Sequence, residues 1–361
     1  MTNIRLSNLT IKIIALALIL VLSSAALFSC KEAPKDPAQS GDVPSESEGY
    51  VESGDNNVTE DKNLKIMVLN GTTGMGAASM ISKYKNTDNS KYNFEIVAAA
   101  DVVSAAIIGG EVDVAAVPTN LASVLYNKTG GKIKVAAINT KGVLYVLSTG
   151  DGVNTVNDLK GKTVYAPGLG SNPEYILKHL CESNGLEVGK DVIIDGATYP
   201  SPDELATAVA SGKAELALLP EPKVTAVTTQ NSNVKVAIDV TAEWEKAFGA
   251  ENTLVQGCII IRSEIVEQYP NTVEAFLEEY KESVELVNEK PEEAAKLIAE
   301  AGIVPKEALA LKAIPRCNIS YIDGEEMVKA LKFFFNALYE VEPKSIGGKL
   351  PDDGLYYVSA K

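Results

Sequence analysis

The stretch that decides the fold is NGTTGMGA at residues 70–77, where a short apolar run is followed by a helix. The run LKIMVL at residues 64–69 predicts a buried strand, and residues 78–84 predict the helix. Gly71, Gly74 and Gly76 allow a tight turn and a close approach of the backbone to a ligand. The stretch lacks the GxxxxGK[ST] pattern of a nucleotide-binding loop.

The helix after this turn begins with backbone N–H groups that have no partner inside the helix. Such groups bind anions and other polar ligands. Thr72 and Thr73 add two hydroxyl groups to the same turn. We therefore expect half of a ligand-binding site here, with an ordinary strand-to-helix turn as the alternative.

The composition is that of an acidic globular protein, with 46% hydrophobic residues, 22% charged residues and a formal net charge of −15. Without its N-terminal segment the chain keeps roughly 300 residues, enough for about two domains. An acidic surface argues against nucleic-acid binding, which needs clustered lysine and arginine.

Residues 1–29 predict a signal peptide, because Arg5 and Lys12 precede an apolar run at residues 13–28. The run ends in LFSC at residues 27–30, which resembles the lipobox of bacterial lipoproteins with Cys30 as the lipidated residue. An uncleaved membrane anchor is the alternative, and both place the globular part outside the cytoplasmic membrane. Residues 30–62 are rich in Pro, Ser, Gly, Asp and Glu and predict a flexible tether.

The three remaining cysteines, Cys181, Cys258 and Cys317, have no spacing typical of metal ligands. We expect buried free thiols, with a Cys258–Cys317 disulfide as the alternative. No residue pattern indicates a metal site or a cofactor.

Beyond residue 62, short apolar runs alternate with helical runs, which predicts an α/β fold of mostly parallel sheets flanked by helices. The expected strands are residues 64–69, 94–98, 112–117, 133–138, 143–148, 163–166, 192–195, 215–219, 234–238 and 258–262. Helices are expected at residues 172–184, 203–211, 270–288 and 291–301, and around an apolar stripe at 327–338.

A second glycine-rich turn, PGLGSN at residues 167–172, also lies between a predicted strand and a predicted helix. Two further strand ends match each other, GEVDVAAVPTN at 110–120 and GKAELALLPEP at 212–222. This weak internal repeat makes Asn120 and Glu221 candidate ligand contacts, although Glu221 also fits a solvated carboxylate at a helix start. Since ligands of open α/β sheets bind beyond the carboxyl ends of strands, we expect a cleft shared by two lobes.

These motifs, with DLKGKTVYAPGLGS at 158–171 and QGCIIIRSEIVEQYP from residue 256, resemble bacterial ABC-transporter substrate-binding proteins. The group is that of nitrate/sulfonate/taurine and thiamine-precursor binding proteins, and the resemblance extends over residues 63–357. It implies the type II periplasmic-binding-protein fold, in which two α/β lobes joined by two crossing segments close over a ligand. The implied lobes are residues 63–140 with 246–361, and residues 141–245.

The resemblance also implies which residues line the cleft between the lobes. They are Asn70, Gly71, Thr72, Thr73, Gly74, Met75, Pro118, Thr119, Asn120, Gly170, Ser171, Asn172 and Glu221. Trp244 lies near the second crossing and either covers the cleft or packs beneath the hinge, and we expect the packing role.

The implied function is the solute-binding component of an ABC importer, which delivers a small organic molecule to a membrane permease and its ATPase. We expect a monomer that is lipid-anchored on the outer face of the cytoplasmic membrane. The alternatives are a ligand-sensing lipoprotein and, less favoured, a same-fold enzyme of thiamine-precursor or quinone biosynthesis. An enzyme is not expected, because the chain has one histidine, His179, and neither a GxSxG nor an HExxH motif.

The charge of the ligand follows less directly from the sequence. Two helix starts favour an anion. No arginine lies in the predicted cleft loops, however, and Glu221 favours a ligand with an amine or a ring N–H group. We expect a small, weakly charged organic molecule, such as a pyrimidine or an amino-sulfonate.

Overall fold

The structure is a computed structural model that describes residues 61–85 and 90–359. The predicted signal peptide, the lipidation of Cys30 and the tether up to residue 60 lie outside the described residues. Lys62, the last residue of the predicted tether, already contacts the folded part. Its backbone N–H donates to Thr272 Oγ1 at 3.4 Å, and its Nζ lies 3.5 Å from the Asp113 carboxylate.

The described residues form eleven strands and thirteen α-helices. The strands are β1 (Leu64–Leu69), β2 (Tyr92–Val97), β3 (Val114–Pro118), β4 (Ile133–Lys141), β5 (Leu144–Ser148), β6 (Thr163–Tyr165), β7 (Ile193–Asp195), β8 (Leu216–Pro220), β9 (Lys235–Asp239), β10 (Val255–Arg262) and β11 (Ile319–Ile322). The helices are α1 (Thr72–Met75), α2 (Ala78–Tyr84), α3 (Ala100–Gly109), α4 (Thr119–Thr129), α5 (Asn172–Ser183), α6 (Pro202–Ala210), α7 (Lys223–Gln230), α8 (Val240–Phe248), α9 (Ser263–Gln268), α10 (Pro270–Glu289), α11 (Pro291–Glu300), α12 (Glu307–Ala313) and α13 (Gly324–Val341).

Local sequence explains where α6 begins and why the central strands are apolar. Ser201 caps α6 by accepting a hydrogen bond from the Glu204 N–H at 3.2 Å, and Pro202 fills the first helical position. The central strands are apolar along their whole length, as in the run LYVLS of β5, because both faces of the sheet are covered.

The strands form two sheets, ordered β11-β4-β10-β3-β1-β2 and β7-β6-β8-β5-β9. The predicted α/β fold with two sheets is confirmed. Four strands of each sheet run in the same direction, and the exceptions are β10 and β11 in the first sheet and β5 in the second. Both β5 and β10 are the first strands after the chain crosses from one sheet to the other. Each of them runs antiparallel to both of its neighbours in the new sheet.

The two crossings lie side by side. The chain passes from the first sheet to the second through residues 142–143 and returns through α8 and the segment before β10. Lys141 pairs with Val255, which brings the two crossings together. The predicted lobe boundary at residue 245 falls inside α8, and the division into lobes at residues 140 and 245 stays a prediction.

Buried apolar side chains form three clusters. The first core packs one face of the first sheet against α2, α10, α11 and α12, and includes Ile66, Phe276 and Cys317. The second core packs one face of the second sheet against α6 and α7, and includes Leu219 and Val224. The shared core joins the opposite faces of both sheets through α5, α8 and α13. The two sheets therefore share an apolar core on one side only.

Candidate functional site

The first glycine turn connects β1 to α1, and its shape depends on glycine at two positions. Gly71 has φ of 89°, a conformation that L side chains rarely adopt. A Cβ at Gly74 would lie 2.3 Å from the Leu69 carbonyl oxygen, so a larger residue would collide with the backbone. The N–H of Asn70 donates to the Val97 carbonyl at 2.9 Å and fixes the strand end.

The side chains of this turn divide into open and buried groups. Asn70 is exposed and Thr73 is half-buried. Thr72 is buried, and Met75 lies fully buried in the first core. Asn139 supports the turn from below, because its Nδ2 donates to the Thr73 carbonyl at 3.0 Å. A ligand above this turn would therefore meet Asn70, Gly71 and Thr73 before the other residues.

The second glycine turn connects β6 to α5 and is partly closed by the protein itself. The N–H of Gly170 donates to Glu174 Oε2 at 2.5 Å, and Ser171 Oγ accepts from the Glu174 N–H at 3.4 Å. The Glu174 carboxylate thus accepts the hydrogen bond of an N–H group that we expected to face a ligand. Asn172 is half-buried, and its Oδ1 has no hydrogen-bond partner among the described residues. Leu169 at the tip of the turn is 75% exposed.

The end of β3 offers one hydroxyl group without a partner. Pro118 provides no side-chain cap for α4, which begins at Thr119. Thr119 is fully buried, and its Oγ1 has no hydrogen-bond partner among the described residues. The Asn120 amide, in contrast, donates to the Ser345 carbonyl at 3.2 Å. Thr119 is therefore better placed than Asn120 to gain a new polar partner.

Glu221 follows β8, and its carboxylate is buried and fully engaged. It accepts hydrogen bonds from Thr225 N–H at 3.0 Å and Thr225 Oγ1 at 2.9 Å. Arg316 Nε lies 2.6 Å from Glu221 Oε1. Arg316 is not among the residues predicted from the sequence, since no local pattern links two residues 95 positions apart. Its positive charge balances Glu221, which removes the reason to expect a cationic group on the ligand.

Two of the candidate strand ends face each other across the two sheets. A Cβ built on Gly71, after β1, would lie 4.0 Å from Pro222 Cδ, after β8. The strand β3 is the parallel neighbour of β1, and β6 is the parallel neighbour of β8. The carboxyl ends of parallel strands meet at the same edge of a sheet. The topology thus favours one crevice for all four strand ends, and the ligand-binding role of their residues stays a prediction.

The remaining candidate groups are buried in the core. Trp244 is fully buried, and its Nε1 donates to the Asn252 carbonyl at 2.9 Å, so the expected packing role is confirmed. His179 packs against Trp244 with ring centroids 5.3 Å apart, and burial lowers the pKa of its imidazole. The three cysteines Cys181, Cys258 and Cys317 are free and buried.

The described part of the chain contains neither a metal-binding cluster nor a membrane-spanning helix. Within residues 61–85 and 90–359, no group of three or more His, Cys, Asp or Glu side chains is arranged to hold a metal ion. Over the same ranges, no helix combines the length and the hydrophobicity that a bilayer span requires.

Comparison with known proteins gives one family and many similar structures. The family model described as NMT1/THI5 like matches residues 94–294, which is more than half of the chain. A search of curated proteins finds no match.

Three solved structures illustrate the structural similarity. An ABC transporter from Parabacteroides distasonis is 24% identical with a TM-score of 0.69, covering 82% of this chain and 99% of that chain. The periplasmic aliphatic sulphonate binding protein SsuA from Escherichia coli is 17% identical with a TM-score of 0.64, covering 81% and 91%. A putative periplasmic sulfonate-binding protein from Methylobacillus flagellatus is 19% identical with a TM-score of 0.61, covering 83% and 92%. At these identities the similarity shows the fold, which is that of periplasmic binding proteins.

Proposed function

The chain belongs to the NMT1/THI5 like family, and on this premise we propose that it is the solute-binding component of an ABC importer. It captures a small organic molecule between the two sheets and delivers it to a membrane permease and its ATPase. The similar solved structures, an ABC transporter and two sulfonate-binding proteins, support this assignment. No catalytic step is part of the proposal.

The observation that carries the proposal is the approach of Gly71 to Pro222, two residues that follow strands of different sheets. A solute held there would contact backbone and side-chain groups from both sheets. Such a ligand favours the closed arrangement to the extent that it binds that arrangement more tightly. In our proposal the closing bodies are residues 63–140 with 246–361, and residues 141–245, moving about the two crossings.

The proposal extends to the membrane-proximal part of the chain. Cys30 is the lipidated residue, and the segment that follows it tethers the binding domain to the outer face of the cytoplasmic membrane. A flexible tether of about 30 residues has a root-mean-square length of about 30 Å, which lets a monomeric binding domain reach a neighbouring permease.

The polarity of the crevice favours a ligand of low net charge. The carboxylates of Glu174 and Glu221 are both engaged by protein groups. The groups left for a solute are neutral, among them Asn70, Thr73 and the Thr119 hydroxyl. These suit a compact head group with several oxygen atoms attached to a short organic body. Amino-sulfonates, which are zwitterions, and pyrimidines are therefore the first ligands to test, followed by amino acids and aliphatic sulfonates.

A thermal-shift screen of the full-length chain, purified in detergent, tests the proposal. A ligand present at 100 times its Kd stabilises the native state by about 2.7 kcal/mol. For a protein of this size we expect the Tm to rise by roughly 5 °C, and to do so with only a few members of the panel.

The variant Thr73→Trp places a bulky side chain over the first turn and should abolish that shift. Thr229→Trp, on an exposed position of α7, is the matched control and should keep it. If no panel member raises the Tm, the binding role loses its support. If Thr73→Trp binds as well as the parent chain, the crevice is in the wrong place.

A further inference from the structure

On the side of the molecule away from the shared core, the Arg316 side chain joins the two sheet regions. Arg316 precedes β11, and its neighbours Ile314 and Cys317 belong to the first core. Its Nε contacts Glu221 Oε1 at 2.6 Å, and its Nη2 contacts Thr225 Oγ1 at 2.7 Å. Glu221 and Thr225 flank Val224, which belongs to the second core. The guanidinium group thus connects chain segments that pack in two different apolar clusters.

The bridge is anchored in a buried carboxylate. The Glu221 side chain is 0% exposed, whereas the Arg316 side chain is 39% exposed. Among the described residues, the other hydrogen bonds to this carboxylate come from the N–H and hydroxyl groups of Thr225. A buried charge that loses its partner is strongly unfavourable, because nothing replaces the lost hydration. Removing Arg316 therefore favours any movement that lets water reach Glu221.

A second contact holds the backbone at the same place. Tyr145, in β5 of the second sheet, donates through its hydroxyl group to the Arg316 carbonyl at 3.1 Å. Helix α12 ends three residues before Arg316, α7 carries Thr225, and the two helices contact each other. Both the backbone and the side chain of Arg316 therefore connect the first sheet region to the second.

The bridge lies next to the proposed ligand crevice. Glu221 is followed directly by Pro222, the residue that faces Gly71 of the first turn. A change in the position of Glu221 is transmitted through one peptide bond to the wall of the crevice. Arg316 is thus placed to control how closely the two walls approach.

We propose that Arg316 is a positioning residue that latches the two sheet regions together through Glu221 and Thr225. The latch keeps the ligand-free chain in the arrangement in which the first turn and the end of β8 face each other. Its effect on ligand affinity rests on the function proposed above. Because apparent affinity scales with the fraction of molecules that are competent to bind, loss of the latch should weaken binding about tenfold.

The latch can be tested without any ligand, by measuring the distance between α12 and α7. Spin labels are attached to a genetically encoded keto amino acid at the exposed positions of Lys312 and Gln230, which leaves the native cysteines untouched. Electron–electron double resonance is then recorded on the full-length chain. We expect Arg316→Gln to lengthen and broaden the distance distribution, and Arg316→Lys to restore part of the parent distribution.

Arg262→Gln is the matched control. Arg262 also pairs with a buried carboxylate, Asp113, at 3.3 Å, but both residues belong to the first sheet region. It should leave the distance between α12 and α7 unchanged. If Arg316→Gln folds poorly, Glu221→Gln removes the ion pair without stranding a charge and should give the same lengthening. An unchanged distribution in both variants overturns the latch.

The two proposals fail in different ways. If the parent chain binds a solute while Arg316→Gln keeps both its distance distribution and its affinity, the latch is wrong and the binding role stands. If the distance increases in Arg316→Gln but no compound binds the parent chain, the latch stands and the assigned function falls.

Discussion

The two sheets meet on two sides of the molecule, and the chemistry of the two contacts is opposite. On one side, Trp244 of α8 packs against Phe333 and Phe334 of α13, with ring centroids 6.3 Å and 6.4 Å away, within the shared core. On the other side, one guanidinium group reaches a buried carboxylate. Apolar contact is non-directional and tolerates small rotations, whereas hydrogen bonds weaken steeply once distance and angle change. We therefore expect the sheets to pivot on the apolar side and to separate on the polar side.

The largest expected effect comes from removing the apolar contact. Trp244→Ala leaves a cavity at a fully buried position and should lower the free energy of unfolding by about 3–5 kcal/mol. Because the shared core includes side chains from both sheets, the loss should appear in a single denaturant-unfolding transition. The control Tyr339→Ala, at a position 37% exposed, should change stability little. Two separate transitions, or a loss below about 1 kcal/mol, would show that the core is not shared in this way.

A smaller effect is expected on the polar side. Arg316→Gln should destabilise more than Glu221→Gln, because only the first change strands a buried charge. A double-mutant cycle should give a coupling free energy of about 1–3 kcal/mol, reduced from the value of a fully buried pair by the exposure of Arg316. Denaturant unfolding of the four proteins measures this quantity. If the two single variants lower the free energy of unfolding by amounts that simply add in the double variant, Arg316 and Glu221 are not energetically coupled.

The smallest expected effect is a pH dependence of stability that comes from His179 in the shared core. Burial lowers the pKa of His179, while Glu340 and Glu182 oppose that change. The unfolded chain therefore takes up the histidine proton first as the pH falls, so stability should decrease below about pH 6.5. The decrease should level off once the pH passes the lowered pKa of the folded state. The variant His179→Phe keeps a ring at the position and removes the titration.

The comparison of the parent chain and His179→Phe isolates this contribution, because all carboxylates titrate in both proteins. Unfolding by denaturant at pH 7.5 and pH 5.5 should show a larger loss of stability in the parent chain. An equal loss in both proteins would mean that His179 carries no charge-dependent penalty. Since His179 is the only histidine of the sequence, its ring signals can be followed directly by NMR.

Most of the fold follows from local patterns in the sequence. All ten predicted strands are present, because each is a short apolar run bounded by turn residues. The missed strand, β11 (Ile319–Ile322), is an edge strand of four residues with only two ladder pairings to β4. The pairing directions of β5 and β10 were not predictable from their own residues, since they depend on where the chain crosses between the sheets.

The candidate site is less accessible to sequence reasoning, because its polar groups find distant partners. Glu221 looked free in the sequence, and Arg316 neutralises it from a different part of the chain. Glu174 binds the Gly170 N–H group that we expected to be open, and Met75 turns into the core. Glycine turns and strand ends are local features, so the sequence reveals them. Which polar groups remain unsatisfied is decided by packing.

The central claim is that one solute is held by strand ends of both sheets at once. Hydrogen–deuterium exchange of the full-length chain, with and without the compound that gives the largest thermal shift, tests it most directly. We predict protection in peptides that contain the first turn at residues 70–77 and, simultaneously, in peptides around Pro222 and the end of β6. Protection confined to one sheet, or to surfaces distant from both turns, would contradict the claim.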